Sequence, residues 1–191
     1  QQTQIERVIP KYNSWLMAFP DFFSLTHSTL RPILSVWQGL GYNRRALNLR
    51  ETARQVIKKY HGLLPDDPRV LETLPGIGET TAAAIAAFAF GKATVFIETN
   101  IRAAFIHHFF KDRSCVREAE IVPLVETTLD RKNPRLWYYA LMDYGAMIKK
   151  THPNPNRRSA DYTRQTPFKG SNREVRGKVV RATAAGQALL A

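Results

Sequence analysis

The chain has 191 residues, enough for one large domain or two small ones with a core that needs no disulfide support. Lysine and arginine total 28 against 16 acids, and the formal net charge of +12 favours a polyanionic partner, nucleic acid first, through phosphate neutralisation. A single cysteine, Cys115, excludes internal disulfides and four-cysteine metal or iron–sulfur ligation, and the longest apolar run, residues 81–90, is too short to cross a bilayer. These features read as a soluble, cytoplasmic protein without a membrane partner.

Helical periodicity starts at once. In "QQTQIERVIPKYNSWL" the residues Ile5, Val8, Ile9, Tyr12, Trp15, Leu16 and Phe19 recur at spacings of three and four, as do Leu30, Ile33, Leu34 and Trp37 further on. The first helix opens with no capping residue, and the expectation is that a natural lead-in is missing upstream. Breakers follow at Pro20, Gly39-Leu40-Gly41, His61 to Pro68, "LPGIG", Gly91-Lys92 and Asn133-Pro134. No alternating strand pattern competes, so the expected architecture is all-α, with roughly seven to nine helices. After "WYYALMDYGAMIKK" the chain turns basic and polar, which reads as a loop and then a surface helix from about Ser171, whose hydroxyl is suited to capping it.

Two short stretches carry chemistry. In "LPGIG" Pro75 ends one segment, while Gly76 and Gly78 permit conformations and close approaches that a β-carbon obstructs. Amides at the start of the next helix, around Thr81, can then hold a phosphate of DNA without reading sequence. An ordinary tight turn is the competing reading. Downstream, "IETNIR" sets Glu98 before Asn100, where a carboxylate supports a helix N-terminus and an asparagine can cap it. The histidines offer no metal site from their spacing: His107 and His108 are adjacent, and His27, His61 and His152 stand apart.

Across about residues 1 to 150 the segments "QQTQ", "VWQGLGYNRRALNL", "LPGIGETTAAAIAAFAFGK", "ETNIRAAFIHHFF" and "YYALMDYGA" appear in one order. The chain thereby resembles the helix-hairpin-helix (HhH-GPD) DNA glycosylase superfamily of endonuclease III, and within it the adenine-glycosylase branch. The resemblance implies two helical lobes: residues 1–94 with the helix-hairpin-helix at about 71–90, and residues 95–191 with the basic C-terminal loop and helix. It implies excision of an extruded base, adenine opposite 8-oxoguanine or guanine, by a monofunctional, monomeric enzyme acting on double-stranded DNA in a prokaryotic nucleoid. Thymine or uracil opposite guanine, and a non-catalytic DNA-binding module, are the alternatives.

Residue by residue, Glu98 stands where the family places an aspartate, and the expected role is to stabilise the oxocarbenium-like state or the attacking water. Asn100 matches the family asparagine beside the reacting sugar. Thr80 lies in the base pocket at the place of the Schiff-base lysine of bifunctional members. Gln1 and Gln2 match the segment that fills the space of the extruded nucleotide, and Leu40 and Tyr42 match a second wedge, with core packing the alternative for Tyr42. Arg44 and Arg102 are expected at phosphates, together with Gly76, Gly78 and Thr81. The region that carries four cluster cysteines in the family reads "THPNPNRRSADYTRQ" and has none, so no iron–sulfur cofactor is expected. A structural monovalent cation at the hairpin is what the resemblance adds. The C-terminal domain that checks for 8-oxoguanine in the family is not expected in the stretch after Lys150.

Overall fold

The computed structural model describes residues 5–164 and 167–184. Among them ten α-helices and one 3-10 turn form, and β pairing is limited to one isolated parallel bridge between Val116 and Ser159. Two compact units emerge: residues 1–65, 74–76 and 165–191 in the first, and residues 66–73 and 77–164 in the second. The boundary expected at residues 94 and 95 falls inside the second unit.

In the first unit, α1 (Ile5–Ala18) and α2 (Phe22–His27) are separated at Pro20, and Asp21 caps α2 through Ser24 N at 2.7 Å. α3 (Leu30–Trp37) leads through Gly39 and Gly41 to α4 (Arg44–Tyr60), which stops at a left-handed His61. Phe19, Leu25, Ile33, Ala46 and Ala53 make the core, flanked by Trp15 and Trp37 in edge contact at 5.4 Å. α1 differs from the amphipathic expectation, because it buries none of its residues and leaves Ile5, Ile9, Tyr12 and Leu16 exposed. The C-terminal helix, α10 (Asn172–Ala184), packs on α3 rather than with the second unit. It begins at about the expected place, but the Ser171 hydroxyl donates back to the Phe168 carbonyl at 2.6 Å.

The second unit opens with α5 (Pro68–Leu71), capped by Asp67, and α6 (Glu79–Phe90). Alanine has the highest helix propensity, and Ala82, Ala83, Ala86 and Ala87 give α6 a flat face that neighbours approach closely. A left-handed Gly91 ends it, and an extended stretch leads to α7 (Thr99–Phe109). α8 (Glu118–Thr128) and α9 (Pro134–Thr151) complete the frame, with the 3-10 turn Pro155–Arg158 lying along α7. α9 starts where proline is favoured, at the first helical position. The core joins Ala87, Phe96, Ile101, Phe105, Ile121, Val125 and Tyr138. Cys115 is exposed just before α8.

Candidate functional site

In the second unit the stretch between α6 and α7 is fixed from two sides. The Thr94 hydroxyl donates to the Ala83 carbonyl of α6 at 2.7 Å. From α9, the Tyr138 hydroxyl donates to the Thr94 carbonyl at 2.8 Å and accepts from Phe96 N at 3.2 Å, while its ring stacks on Phe96 at 4.1 Å. Burial pushes this phenol up to about 12. The chain is therefore tied down on both sides up to the residue that caps α7.

That residue is Glu98. Its backbone is extended, and its Oε1 accepts from Asn100 N at 2.5 Å and Ile101 N at 2.8 Å, satisfying two first-turn amides of α7. The other carboxylate oxygen takes no hydrogen bond among the described residues, so the half-buried side chain is both fixed and open to a further partner. Asn100, two residues on, buries its Oδ1 with no hydrogen-bond partner among the described residues. Its carbonyl lies against Gly145 of α9, where a β-carbon would sit 2.6 Å from the carbonyl carbon. The sequence offers one signal for Gly145, a lone glycine inside a long aromatic-rich helix.

Arg102, expected at phosphate, instead pairs with Glu118 of α8, with Nε to Oε2 at 3.1 Å. Thr80 and Thr81 are half-buried in the first turn of α6. Lys92 pairs with Asp66 at 2.8 Å, and the Lys92 ammonium holds the Asp66 carboxyl below its ordinary range. Ahead of α6, Gly76 takes φ 78° and meets Asn48, whose Cβ would lie 2.9 Å from an added β-carbon, so both conformation and space demand glycine. Thr52 supports this turn by donating to the Pro75 carbonyl at 3.1 Å. Gly78 differs: it is extended, a β-carbon there meets nothing, and it gives α6 no side-chain cap.

In the first unit, Leu40, Tyr42 and Arg44 stand together in and after the α3–α4 loop. Tyr42 adopts φ 49°, a left-handed conformation unusual for an aromatic residue, and is 49% exposed. Two neighbours hold the loop. Trp37 Nε1 donates to the Gly41 carbonyl at 2.9 Å, and the Arg45 guanidinium lies 5.5 Å from the Trp37 ring centre and 5.3 Å from that of Tyr42. Leu40 is half-buried and Arg44 exposed. Gln1 and Gln2 lie outside the described residues.

The fold also joins histidines that spacing kept apart. The His107 ring lies 4.8 Å from His108 and 4.7 Å from His152. Partial burial holds the His107 imidazole below its ordinary value, and the charges of His108, His152, Lys111 and Arg158 push the same way. Among the described residues no group of three or more histidine, cysteine or acidic side chains has metal-binding geometry.

Residues 1–137 match the family described as "HhH-GPD superfamily base excision DNA repair protein". The chain is similar to the adenine DNA glycosylase of Buchnera aphidicola subsp. Baizongia pistaciae, 34% identical over 161 residues that cover 82% of this chain and 45% of that one. Human adenine DNA glycosylase is 32% identical over 152 residues, 78% of this chain and 28% of that one. The chain thus spans less than half the length of these curated relatives. Among solved structures, a thermostable thymine-DNA glycosylase aligns with TM-score 0.68 at 24% identity, over 81% of this chain and 73% of that one. A non-covalent endonuclease III–DNA complex aligns with TM-score 0.60 at 20% identity, over 93% and 79%. At such identities these two likenesses concern the fold.

Proposed function

Because the chain belongs to the HhH-GPD superfamily of base excision DNA repair proteins, we propose that it is a monofunctional DNA glycosylase that removes adenine mispaired with 8-oxoguanine or guanine. The observation that carries this reading is Glu98, a carboxylate locked by two helix amides with one oxygen left open, two residues before a half-buried asparagine whose buried Oδ1 meets no donor among the described residues. Curated relatives named adenine DNA glycosylase supply the choice of base.

The chemistry follows from charge. As the N-glycosidic bond of an extruded nucleotide lengthens, the sugar becomes oxocarbenium-like, and a preorganised carboxylate stabilises that charge without reorganising. Glu98 also has the right type of group to orient the water that completes hydrolysis, with Asn100 beside it. A Schiff-base route lacks its amine: Thr80 stands at the expected place, and Lys92 is engaged by Asp66. The product is an abasic site in an unbroken strand. For the duplex, open amides at the start of α6 and Arg44 at the start of α4 suit phosphates, and the exposed Tyr42 suits insertion into the base stack.

The test is single-turnover incubation with short duplexes holding A:8-oxoG, A:G, T:G or U:G pairs, read with and without alkali. The expected result is alkali-dependent breakage at adenine, slowed by about a hundredfold or more in Glu98→Gln, with duplex affinity nearly unchanged. Glutamine retains a carbonyl oxygen for the α7 amides, so the helix survives the substitution. Tight, salt-sensitive binding with no breaks would turn the reading to a binding module, and breaks at thymine or uracil alone would change the base.

A further inference from the structure

The segment after α9, which reads at sequence level as a basic loop, grips α7 along its length. Asn154 Oδ1 accepts from Asn156 N at 3.1 Å and, with Pro155, shapes the 3-10 turn. Asn156 is 4% exposed, and its Nδ2 donates at 2.9 Å to the carbonyl of Thr99, the residue between Glu98 and Asn100. Two residues later the Arg158 guanidinium donates to the carbonyls of Ile106 at 3.1 Å, Lys111 at 2.8 Å, Arg113 at 3.3 Å, and Phe110. It thereby ties the last turn of α7 to the loop that follows it, adding a donor to the Ile106 and Phe110 carbonyls, which already accept from Phe110 N and Arg113 N. The backbone locks the segment in place, with Val116 N donating to the Arg158 carbonyl at 2.7 Å and Ala160 N to the Val116 carbonyl at 2.9 Å.

We propose that Asn156 is a positioning residue for the Glu98 site, acting through Thr99, with Arg158 fixing the other end of the same helix. The Asn156 Oδ1 is buried without a hydrogen-bond partner among the described residues, and its Nδ2 is committed to the Thr99 carbonyl. Its link to the site lies in where it holds the Thr99 carbonyl. The Glu98 carboxylate is bonded to the next two amides of the same turn, and small displacements of a reacting group are expensive in rate.

The functional part of this inference rests on the excision reading; the structural part is measured without DNA. Asn156→Ala and the near-isosteric Asn156→Leu, which removes the donor without burying a charge, are compared with the wild type in three assays. Thermal midpoints are expected to fall by about 2–8 °C, because the Thr99 carbonyl loses a buried donor, with both variants still folded at the assay temperature. Amide hydrogen exchange at Asn100 and Ile101 is expected to rise about tenfold or more in DNA-free protein. Single-turnover excision is expected to fall about tenfold or more, with duplex affinity within about threefold. Exchange at Asn100 and Ile101 within about twofold of wild type in both variants overturns the positioning role, as does a loss of excision matched by equal loss of binding. If the wild type excises no base, the excision reading falls, and the exchange measurement still decides whether Asn156 holds the turn.

Discussion

Glu98 shows why a cap and a catalytic group are not rival assignments. One oxygen satisfies two amides that the start of α7 leaves open, and that bond is what denies the carboxylate free rotation. Its position beside Asn100 was legible in the sequence because acid-x-Asn is a local pattern. Gly145 was not legible in the same way, since what it meets is a backbone carbonyl 45 positions earlier, brought close by the packing of α7 on α9. Gly145→Ala must push the two helices apart at Asn100. The expected cost is about 1–3 kcal/mol, read as a lower thermal midpoint, at roughly 2–4 °C per kcal/mol for a chain of this size. An unchanged midpoint would mean that the helices are not held so close. The longer side chain of Glu98 reaches back to cap α7, which fixes where its open oxygen stands.

At the level of elements, the breakers at Pro20, Gly39 to Gly41, "LPGIG", Gly91 and Pro134 separate helices as turn chemistry dictates. The grip of Asn156 and Arg158 on α7 left no pattern to read, because their partners are main-chain carbonyls 45 to 57 positions away, and any residue type supplies a carbonyl. Tyr138 makes the same kind of connection from α9 to the stretch before Glu98, and its chemistry gives a pH test. The phenol ionises near 10 when unfolded and at about 12 when folded. Below pH 10 both states are protonated and its contribution is complete; between about 10 and about 12 the unfolded chain loses its proton first, so stability falls as pH rises. The expected alkaline loss is on the order of 2 kcal/mol, measured by denaturant titration, and should flatten in Tyr138→Phe. That variant should also be weaker at neutral pH by about 1–3 kcal/mol, because Phe96 N keeps no acceptor.

For the whole chain the governing quantity is the net charge of +12. If the partner is duplex DNA, association is driven largely by counterion release, and several phosphate contacts should cost roughly 100- to 1,000-fold in affinity between about 50 and 200 mM salt. A fall of less than about tenfold, measured by fluorescence anisotropy on a labelled duplex, would place the grip elsewhere than on phosphates. The charge was plain from composition, whereas its use is partly committed inside the fold: Arg102 answers Glu118, Lys92 answers Asp66, and Arg158 answers four carbonyls. Counting basic residues therefore overstates the charge offered to a ligand. The exposed thiol of Cys115 adds an experimental consequence of its own. It is the single sulfhydryl of the chain and adjoins Val116, whose amide and carbonyl hold the segment that grips α7. A maleimide dye would attach there once per molecule, giving an optical reporter beside the grip whose polarisation can be compared between the wild type and the Asn156 variants.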